Sequence, residues 1–303
     1  MSINASICIV THNRKAELKL TLDKVLELID TNTEVIVGLD GCTDGTNSLK
    51  SEFPNVIWIE FPKNIGASSA RRLVYEKAKG DYIFGFDDDS HPVTGDFVKK
   101  TIQIFNNNPH LGILAFRIYN GLHLPEAQIL DKGIGNSYAC SEFAGCGYAI
   151  TRKAYLVSGG FPKWMHIYGE ESYVSLKAFE KGYHCSYEPS ILVHHRINKE
   201  ARSSDGYQKF RFGLQLKNNL VLFLKLYPFP LNIRSLIKCT FHNFFKYGFN
   251  SFAWHIVFWE TLFSALKDSL HISESKVAYA VLSDWMKLPL PVFDWNPQKI
   301  SNA

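Results

Sequence analysis

The sequence has no apolar run long enough to cross a bilayer as a helix. The longest candidate near the C-terminus, Phe252 to Leu266, is interrupted by His255 and Glu260 and falls short of the roughly 20 residues that a span requires. A transmembrane anchor is therefore not expected. A dense block of lysines and arginines is also missing, and the net charge is only +4, so we do not expect nucleic acid as the main partner.

The six cysteines follow no disulfide or metal-binding pattern. They stand at positions 8, 42, 140, 146, 185 and 239, without a Cys-x-x-Cys pair or a compact framework. No secretory segment precedes the apolar run that begins at Ser6, so reduced thiols in a cytoplasmic protein are the expectation. Cys140 and Cys146 are expected to be buried thiols with no nucleophilic role.

The composition that remains suits a packed globular protein, with 46% apolar and 20% charged residues over 303 positions. This length allows one large domain or two smaller ones. The first half alternates short β-rich runs with helical ones, which indicates an α/β fold with a mostly parallel sheet covered by helices. The predicted strands are Ile7–Val10, Glu34–Leu39, Val56–Glu60 and Tyr82–Phe86, and the predicted helices are Lys15–Ile29 and Ala67–Ala78.

A polar cluster follows each of these four strands. The clusters are Thr11-His12-Asn13-Arg14, Asp40 to Thr46, Asn64-Ile65-Gly66 and Asp87-Asp88-Asp89. Ligands of parallel sheets bind at the carboxyl ends of the strands, so the four clusters predict one shared site. Taken alone, the Asp40 to Thr46 segment is equally well explained as a Gly-rich turn before a helix capped by Thr43 or Asp44.

The most informative cluster is the acidic triplet. The apolar run Tyr82–Phe86 reads as a buried strand that ends in three consecutive carboxylates. Carboxylates so close repel one another unless a cation or strong donors neutralise them. Mg²⁺ and Mn²⁺ accept carboxylate oxygens and keep sites for phosphates, so Asp87 and Asp89 are candidate holders of a metal–diphosphate complex. An acidic turn without a ligand is the alternative.

The ordered clusters, together with Ala70-Arg71-Arg72, resemble the signature of inverting family 2 glycosyltransferases with the GT-A fold. The resemblance continues into the second half, where the matching motifs are Gly159-Gly160-Phe161-Pro162, Tyr168-Gly169-Glu170-Glu171, Gly182-Tyr183 and Pro189 through His194-His195. Each motif is weak alone, but together they cover roughly residues 5 to 200 in order.

The resemblance implies a nucleotide-sugar site in the first half. Asp40 is similar to the acid that accepts a hydrogen bond from the base, and His12 stands where an aromatic stacks on it, which suits uracil or thymine. Arg71, or with lower preference Arg72, would pair with the diphosphate; a solvated helix face is the alternative for both arginines. The other expected donor-binding residues are Thr11, Asn13, Arg14, Asn64, Gly66, Asp87 and Asp88.

The resemblance also implies a metal site built on the Asp-x-Asp motif. Asp87 would contact the ribose or the metal, Asp89 would bind the metal directly, and Asp88 would be the spacer. Side chains alternate across a strand, so the outer two acids can share a face. His195, or with lower preference His194, would complete the ligand set and favour Mn²⁺ over Mg²⁺. A pair of ordinary surface or core histidines is the alternative.

Glu170 and Glu171 stand where the family carries its general base. An inverting transfer needs a carboxylate to take the proton of the acceptor hydroxyl as its oxygen attacks the anomeric carbon. We expect Glu171 to be this base, with Glu170 as the other candidate. The family usually has Asp at the second position, so this sequence departs from the pattern there. Both acids also suit the N-terminus of a helix.

The chain is predicted to divide at about residue 205. Residues 1–205 would form the GT-A catalytic domain, with a nucleotide-sugar-binding half at 1–105 and an acceptor-binding half at 106–205. Residues 206–303 would form a helical region, with helices at Phe210–Leu226 and Leu236–Ser269. Because its aromatic residues recur densely, we expect residues 236–303 to pack on the catalytic domain or on a second copy. Weak contact with an anionic membrane through the interspersed lysines is a secondary expectation.

The function implied by the resemblance is transfer of a hexose-like sugar from a UDP- or dTDP-linked donor to a hydroxyl acceptor. The acceptor would be a saccharide or lipid-linked saccharide in bacterial surface polysaccharide or glycoconjugate synthesis. A metal-dependent nucleotidyltransferase is less favoured because Thr11–Arg14 is not the Gly/Lys/Arg-rich loop it would need. A non-catalytic sugar-nucleotide-binding protein of the same fold is less favoured because Asp87, Asp89, Glu170 and Glu171 are all present.

Overall fold

The structure is a computed structural model that describes residues 3–126, 130, 134–198, 203–248 and 251–296. A nine-stranded mixed sheet is flanked by helices. The strands are β1 Ala5–Thr11, β2 Thr33–Asp40, β3 Ile57–Phe61, β4 Tyr82–Asp87, β5 Ser90–Pro92, β6 Leu111–Asn120, β7 Tyr138–Cys140, β8 Tyr148–Thr151 and β9 His184–His195. The predicted α/β class is confirmed, and each predicted strand lies within one or two residues of an observed one.

The first four strands form the parallel part of the sheet. Their spatial order is β3-β2-β1-β4, and every neighbouring pair is parallel. The register places Val10 beside Asp87 and Thr11 beside Leu39. The carboxyl ends of β1, β2 and β4 therefore meet at one edge, as the sequence predicted.

The second half of the sheet is mixed. β8 runs antiparallel to β4 and β6, and β6 runs parallel to β9. The short strands β5 and β7 pair antiparallel with β9. β5 follows β4 after only two residues, so its antiparallel pairing turns the chain back directly after the acidic triplet. Ser90 of β5 lies opposite His195, the last residue of β9, and this pairing carries His195 toward the triplet.

Ten α-helices lie within the described ranges. They are α1 Lys15–Leu26, α2 Leu49–Glu52, α3 Ala67–Tyr75, α4 Phe97–Asn107, α5 Arg152–Val157, α6 Glu170–Glu180, α7 Asp205–Leu226, α8 Leu231–Asn243, α9 Phe252–His271 and α10 Tyr279–Trp285. None of the described helices is both long and apolar enough to cross a membrane. A short π-helical turn, Phe244–Gly248, follows α8. The predicted helix Leu236–Ser269 is thus two helices, and its positions 249 and 250 lie outside the described residues.

The core has two layers because successive strand residues face opposite sides of the sheet. In β1, Ile7 and Ile9 join one apolar cluster, whereas Cys8 joins the other. The same alternation in β4 sends Phe84 to the first cluster and Ile83 to the second. A sheet with apolar side chains on both faces needs helices on both faces to exclude water from them.

The C-terminal helices pack on the sheet and its covering helices only in part. α7 is tied to them by the Asn218 amide, which donates to the carbonyl of Tyr168 at 2.7 Å, and Leu282 and Trp285 of α10 enter their core. The backbone N–H of Trp295 donates to Ile118 at 2.9 Å. α8 contributes no buried residue, and α8 and α9 leave large apolar side chains exposed. Within a single chain, α8 and the outer face of α9 are therefore left uncovered, because α7 covers only one side of each helix, and the expected packing of residues 236–303 on the rest of the chain or on a second copy stays a prediction.

Gly85 in β4 offers a test of this packing. A methyl group added at Gly85 would overlap the ring of Tyr148 and approach the hydroxyl of Tyr75. Both tyrosines are buried and hydrogen-bonded to each other, so neither can withdraw into solvent. Overpacking of this kind typically costs about 1–3 kcal/mol. We expect Gly85→Ala to lower the free energy of unfolding by about that amount in urea titrations.

Gly95→Ala is the matched control for this variant. A methyl group there has open space around it and should change stability by less than about 0.5 kcal/mol. If the two variants unfold at the same urea concentration, β4 and β8 are not packed as described.

Candidate active site

A cavity of about 410 Å³ lies at the carboxyl ends of the parallel strands, where the polar clusters were predicted to meet. Most of the residues that the sequence singled out line it. They are Thr11, His12, Arg14, Asp40, Asn64, Gly66, Arg71, Asp87, Asp88, Asp89, Glu170, Glu171 and His195. Convergent polar side chains in one cleft are typical of a ligand-binding site.

Asp40 anchors the loop between β3 and α3. Its carboxylate accepts backbone N–H bonds from Ile65 at 2.7 Å and Gly66 at 3.1 Å. His12, which is exposed in the cavity, lies beside Asp40 with Nδ1 2.5 Å from the Asp40 carbonyl oxygen. Gly66 has a φ of 90°, a conformation that favours glycine. The loop therefore depends on Asp40, and the expected contact of Asp40 with a nucleotide base stays a prediction.

Arg14 neutralises two members of the acidic triplet. Its guanidinium lies 2.9 Å from Asp88 and 2.8 Å from Asp89. Asp88 also accepts a hydrogen bond from the Thr11 hydroxyl at 2.7 Å. Burial raises the pKa of Asp88 to about 7, against the opposing effect of Arg14. Asp88 is thus a structural partner of β1 as well as the spacer of the motif.

Arg71 connects the donor side of the cavity with the two glutamates. Its guanidinium lies 2.5 Å from Asp87, 2.8 Å from Glu170 and 3.6 Å from Glu171. The α3 helix that carries Arg71 is held in place by Ser68, whose backbone N–H donates to the carbonyl of His166 at 3.1 Å. One buried cation therefore fixes the relative position of three carboxylates that come from β4 and α6.

Glu170 and Glu171 occupy the first turn of α6, as predicted, where the helix dipole favours negative charge. Their environments differ. The side chain of Glu170 is 1% exposed and bonded to Arg71, whereas that of Glu171 is 19% exposed. Burial and the neighbouring charge of Glu170 raise the pKa of Glu171 to about 8, although Arg71 opposes the shift. Glu171 is thus the more accessible of the two and has a pKa suited to a proton acceptor.

A set of potential metal donors lies next to Arg71. One donor atom from each of Asp87, Cys146 and His195 falls within 4.8 Å of the others. Ser90 brings two of them together, because its hydroxyl accepts from the Asp87 backbone N–H at 2.8 Å and donates to the Cys146 carbonyl at 2.6 Å. Carboxylate and imidazole suit Mn²⁺, and the thiol adds a softer ligand. The donor set is therefore compatible with a divalent metal.

Asp89 and Asn120 contact the two ring nitrogens of His195. Asp89 Oδ1 lies 3.1 Å from His195 Nε2, Asn120 Oδ1 lies 3.0 Å from Nδ1, and the Asp89 side chain is 1% exposed. Burial alone would lower the pKa of His195, but contacts with Cys146 and Asp89 raise it to about 11. In turn, His195 and Arg14 keep the pKa of Asp89 below its usual range despite burial. The expected direct binding of a metal by Asp89 stays a prediction, and its carboxylate contacts Arg14 and His195.

Three of the expected site residues lie outside the cavity. Asn13 accepts a hydrogen bond from the Thr43 backbone N–H at 2.7 Å. Arg72 donates to the carbonyl of Gly159 at 2.6 Å, and His194 has Nε2 2.7 Å from the carbonyl oxygen of Gly121. Arg71 and His195, the preferred members of each pair, line the cavity, and their roles stay predictions.

Several residues that line the cavity were not recognised in the sequence. Tyr207, Phe210 and Arg211 come from the first turns of α7, which was assigned to a separate helical region. The Arg211 guanidinium lies 5.2 Å from the ring centroid of Tyr168, which fixes α7 over the cavity. Cys146, expected to be an ordinary buried thiol, is buried but has its sulfur among the potential metal donors. Only tertiary packing brings these residues to the site.

Known proteins resemble this chain in sequence. The model of the family described as glycosyl transferase family 2 matches residues 6–145. Over 111 residues, the chain is 28% identical to an uncharacterised glycosyltransferase of Haemophilus influenzae. This alignment covers 36% of the chain and only 37% of the relative.

Solved structures resemble the fold over most of its length. TarS residues 1–349 of S. aureus, in complex with UDP-GlcNAc, give a TM-score of 0.60 at 15% identity and cover 92% of this chain and 83% of that one. The mannosyltransferase PcManGT of Pyrobaculum calidifontis, in complex with GDP-Man and Mn²⁺, gives 0.59 at 16% identity and covers 94% and 86%. At such low identity these structures support the fold alone. The solved structures thus show a GT-A fold, and residues 6–145 are similar to family 2 glycosyltransferases.

Proposed function

We propose that this protein transfers a sugar from a nucleoside-diphosphate sugar to an acceptor hydroxyl with inversion at the anomeric carbon. The observation that carries the proposal is the position of Arg71, which places Asp87 of the Asp-x-Asp motif and the two glutamates of α6 around one cavity. An inverting transfer needs a diphosphate site and a carboxylate base on opposite sides of the reacting carbon. The cavity provides residues for both.

The donor is proposed to be UDP- or dTDP-linked and to bind against the cavity residues that come from the first half of the chain, such as His12 and Asp40. His12 is exposed beside Asp40, where it can stack on a pyrimidine ring. TarS has been solved with UDP-GlcNAc and PcManGT with GDP-Man, so this fold accepts more than one nucleotide. The preference for uracil or thymine rests on the Asp40 and His12 motifs rather than on these structures.

The proposed metal is Mn²⁺ or Mg²⁺, with Asp87 and His195 as the protein ligands and Cys146 within reach. When bound, such an ion neutralises negative charge on the departing diphosphate. The residues around it have separate tasks. Asp89 orients the His195 ring, and Arg14 keeps Asp89 ionised, an arrangement in which an outer carboxylate holds a histidine ligand in position. PcManGT was solved with Mn²⁺, which is the ion we favour.

Glu171 is proposed as the general base. The acceptor oxygen would attack the anomeric carbon as its proton passes to the Glu171 carboxylate and the bond to the nucleoside diphosphate breaks. Arg71 then has two effects: it holds Asp87 on the donor side and limits the rise in the pKa of Glu171. Glu170 is too buried to reach an acceptor directly and serves to hold Arg71.

The biological setting remains as proposed from the sequence. The acceptor is a saccharide or a lipid-linked saccharide, and the product belongs to a bacterial surface polysaccharide or glycoconjugate. The enzyme would act in the cytoplasm, at the inner face of the membrane where the acceptor is lipid-linked, and as a monomer or a homodimer. A non-catalytic protein that only binds nucleotide sugars would instead bind the donor and never turn it over.

The first test concerns the metal. Asp87→Asn and His195→Ala each remove a donor atom and should weaken Mn²⁺ binding in the presence of UDP by at least about tenfold. Asp89→Asn should weaken it by about 10–100-fold, because His195 loses its support. Calorimetric titration measures these affinities, and Asp96→Asn, which changes an exposed carboxylate that pairs with Lys100, is the control. Unchanged affinities together with full sugar transfer in EDTA would rule out the metal site.

The second test concerns the base. Glu171→Gln should lower the turnover number by at least roughly a hundredfold with little change in donor affinity, because a base acts in the transition state. In the wild type, kcat/KM should rise with pH and level off above about 8, since Glu171 must be deprotonated and its pKa is raised to about 8. Glu171→Gln should lose this rising limb. If Glu170→Gln has these effects instead, the two roles are exchanged.

The third test concerns the space beside the base. A methyl group on Gly145 would overlap Oε1 of Glu171 and lie 3.1 Å from the Arg71 guanidinium. Both neighbours are the ends of flexible side chains, so the fold should tolerate Gly145→Ala while Glu171 is displaced. We expect turnover to fall by about tenfold or more with an unchanged unfolding midpoint. Gly206→Ala, which has open space around it, is the control, and equal activity of the two variants would contradict the assignment of Glu171.

A further inference from the structure

α8 has an exposed face made of two parallel rows. Its apolar row is Ile233, Ile237, Phe241 and Phe245, the last of which stands in the following π-helical turn, and all four side chains are between 45% and 66% exposed. Residues four apart lie above one another on a helix, so these side chains form a continuous ridge. The structure leaves this ridge in water, although such side chains normally drive burial.

A basic row runs beside the apolar one. Each apolar residue is followed by a cationic residue or a histidine, namely Arg234, Lys238, His242 and Lys246, and all four are exposed. Within the described ranges, Arg234 and Lys238 have no ion-pair partner. The sequence between Tyr227 and Trp259 contains no Asp or Glu, and the first acid after it, Glu260, is exposed on the last long helix, α9. The exposed face of α8 is therefore both apolar and positively charged.

α9 carries a second exposed apolar row. It consists of Phe252, Ile256, Trp259, Phe263, Leu266 and Leu270, which are between 41% and 82% exposed. The opposite side of α9, with Trp254, Phe258 and Ala265, is buried in the cluster that it shares with α7. α9 is thus apolar on two sides, and only one of them is covered.

The exposed rows of α8 and α9 meet at Phe244. The Phe244 ring centroid lies 5.8 Å from that of Phe245 and 6.3 Å from that of Trp259. The two rows and the basic row together form one surface, which we call the α8–α9 face. Its apolar residues are too many and too close to be isolated surface side chains, so it is expected to contact something other than water.

We propose that the α8–α9 face docks on the surface of a bilayer that contains anionic lipids. The charge pattern favours a membrane over a second copy of the chain as the partner of this face. In a symmetric dimer the same patch meets itself, which would bring the basic row of one copy near that of the other. An anionic headgroup layer is instead complementary to the basic row, while the apolar rows enter the boundary between headgroups and acyl chains. Helices of this kind lie in the plane of the membrane and do not cross it.

A second cavity lies between the docked face and the candidate active site. It has a volume of about 350 Å³ and is lined by Arg211 of α7, by Asn243 and by Lys246 and Tyr247 of the π-helical turn. Arg211 also lines the candidate active site. If sugar transfer is the function, as proposed above, this arrangement favours an acceptor that is carried by a membrane lipid. The docking itself does not depend on that function.

The test uses the full-length protein and sedimentation with large unilamellar vesicles. We expect binding to vesicles of phosphatidylcholine with phosphatidylglycerol, weak binding to phosphatidylcholine alone, and loss of binding as salt rises. Phe241→Ser with Phe263→Ser should lower the partition coefficient by at least about tenfold. Arg234→Gln with Lys238→Gln should lower it by about fivefold for each charge removed. Leu156→Ser and Lys24→Glu, which change exposed residues elsewhere on the molecule, should bind as the wild type does.

Two controls keep the outcomes distinct. Circular dichroism and UDP binding with Mn²⁺, both measured without vesicles, should be unchanged in every variant. Equal binding to anionic and neutral vesicles, or equal binding by all variants, would overturn the proposal. It would also fall if light scattering showed a dimer in solution that Phe241→Ser with Phe263→Ser converts to a monomer, because the face would then join two copies. If the wild type bound vesicles but no nucleotide, the proposed function would fail while the docking would stand.

Discussion

The buried guanidinium of Arg71 is the group on which the candidate site depends. It lies within 3.6 Å of Asp87, Glu170 and Glu171, three carboxylates that would otherwise repel one another in a region largely shielded from water. Burial raises the pKa of both glutamates, and Arg71 opposes that rise. A protonated glutamate cannot act as a base. The same contact therefore holds two parts of the fold together and favours the charge state that the proposed chemistry requires.

Sheet topology explains how residues so far apart in sequence reach this cation. Asp87 ends β4, Arg71 lies on the helix after β3, and the glutamates begin α6. Parallel strands bring their carboxyl ends to one edge, and β9, which runs in the same direction as β4, adds His195 from its own carboxyl end. Arg14 neutralises Asp88 and Asp89, as Arg71 neutralises Asp87. The acidic triplet is thus tolerated because each of its members has a cationic neighbour.

The sequence predicted the parallel sheet and most of the cavity because both depend on local patterns. Apolar runs that end in polar residues indicate strand ends, and topology then places those ends together. Other features have no local pattern. Cys146 lies beside Asp87 because β8 pairs antiparallel with β4 and Ser90 contacts both residues, and Arg211 reaches the cavity because α7 is held to the loop at Tyr168. The pairing of Arg14 with the triplet likewise depends on the register between β1 and β4, which the spacing of residues does not reveal.

The C-terminal helices show why an apolar helix does not by itself indicate burial. In α10, Leu282 and Trp285 enter the core, whereas α8 has an apolar row and buries nothing. Periodicity predicts an apolar face but not the surface that covers it. The two helices also differ in charge: α8 has a cationic residue or histidine after each exposed apolar residue, a pattern that would be unfavourable against a protein core. The residues beside an apolar face therefore indicate what binds to that face better than periodicity does. On α8 these residues are basic, and they favour an anionic surface.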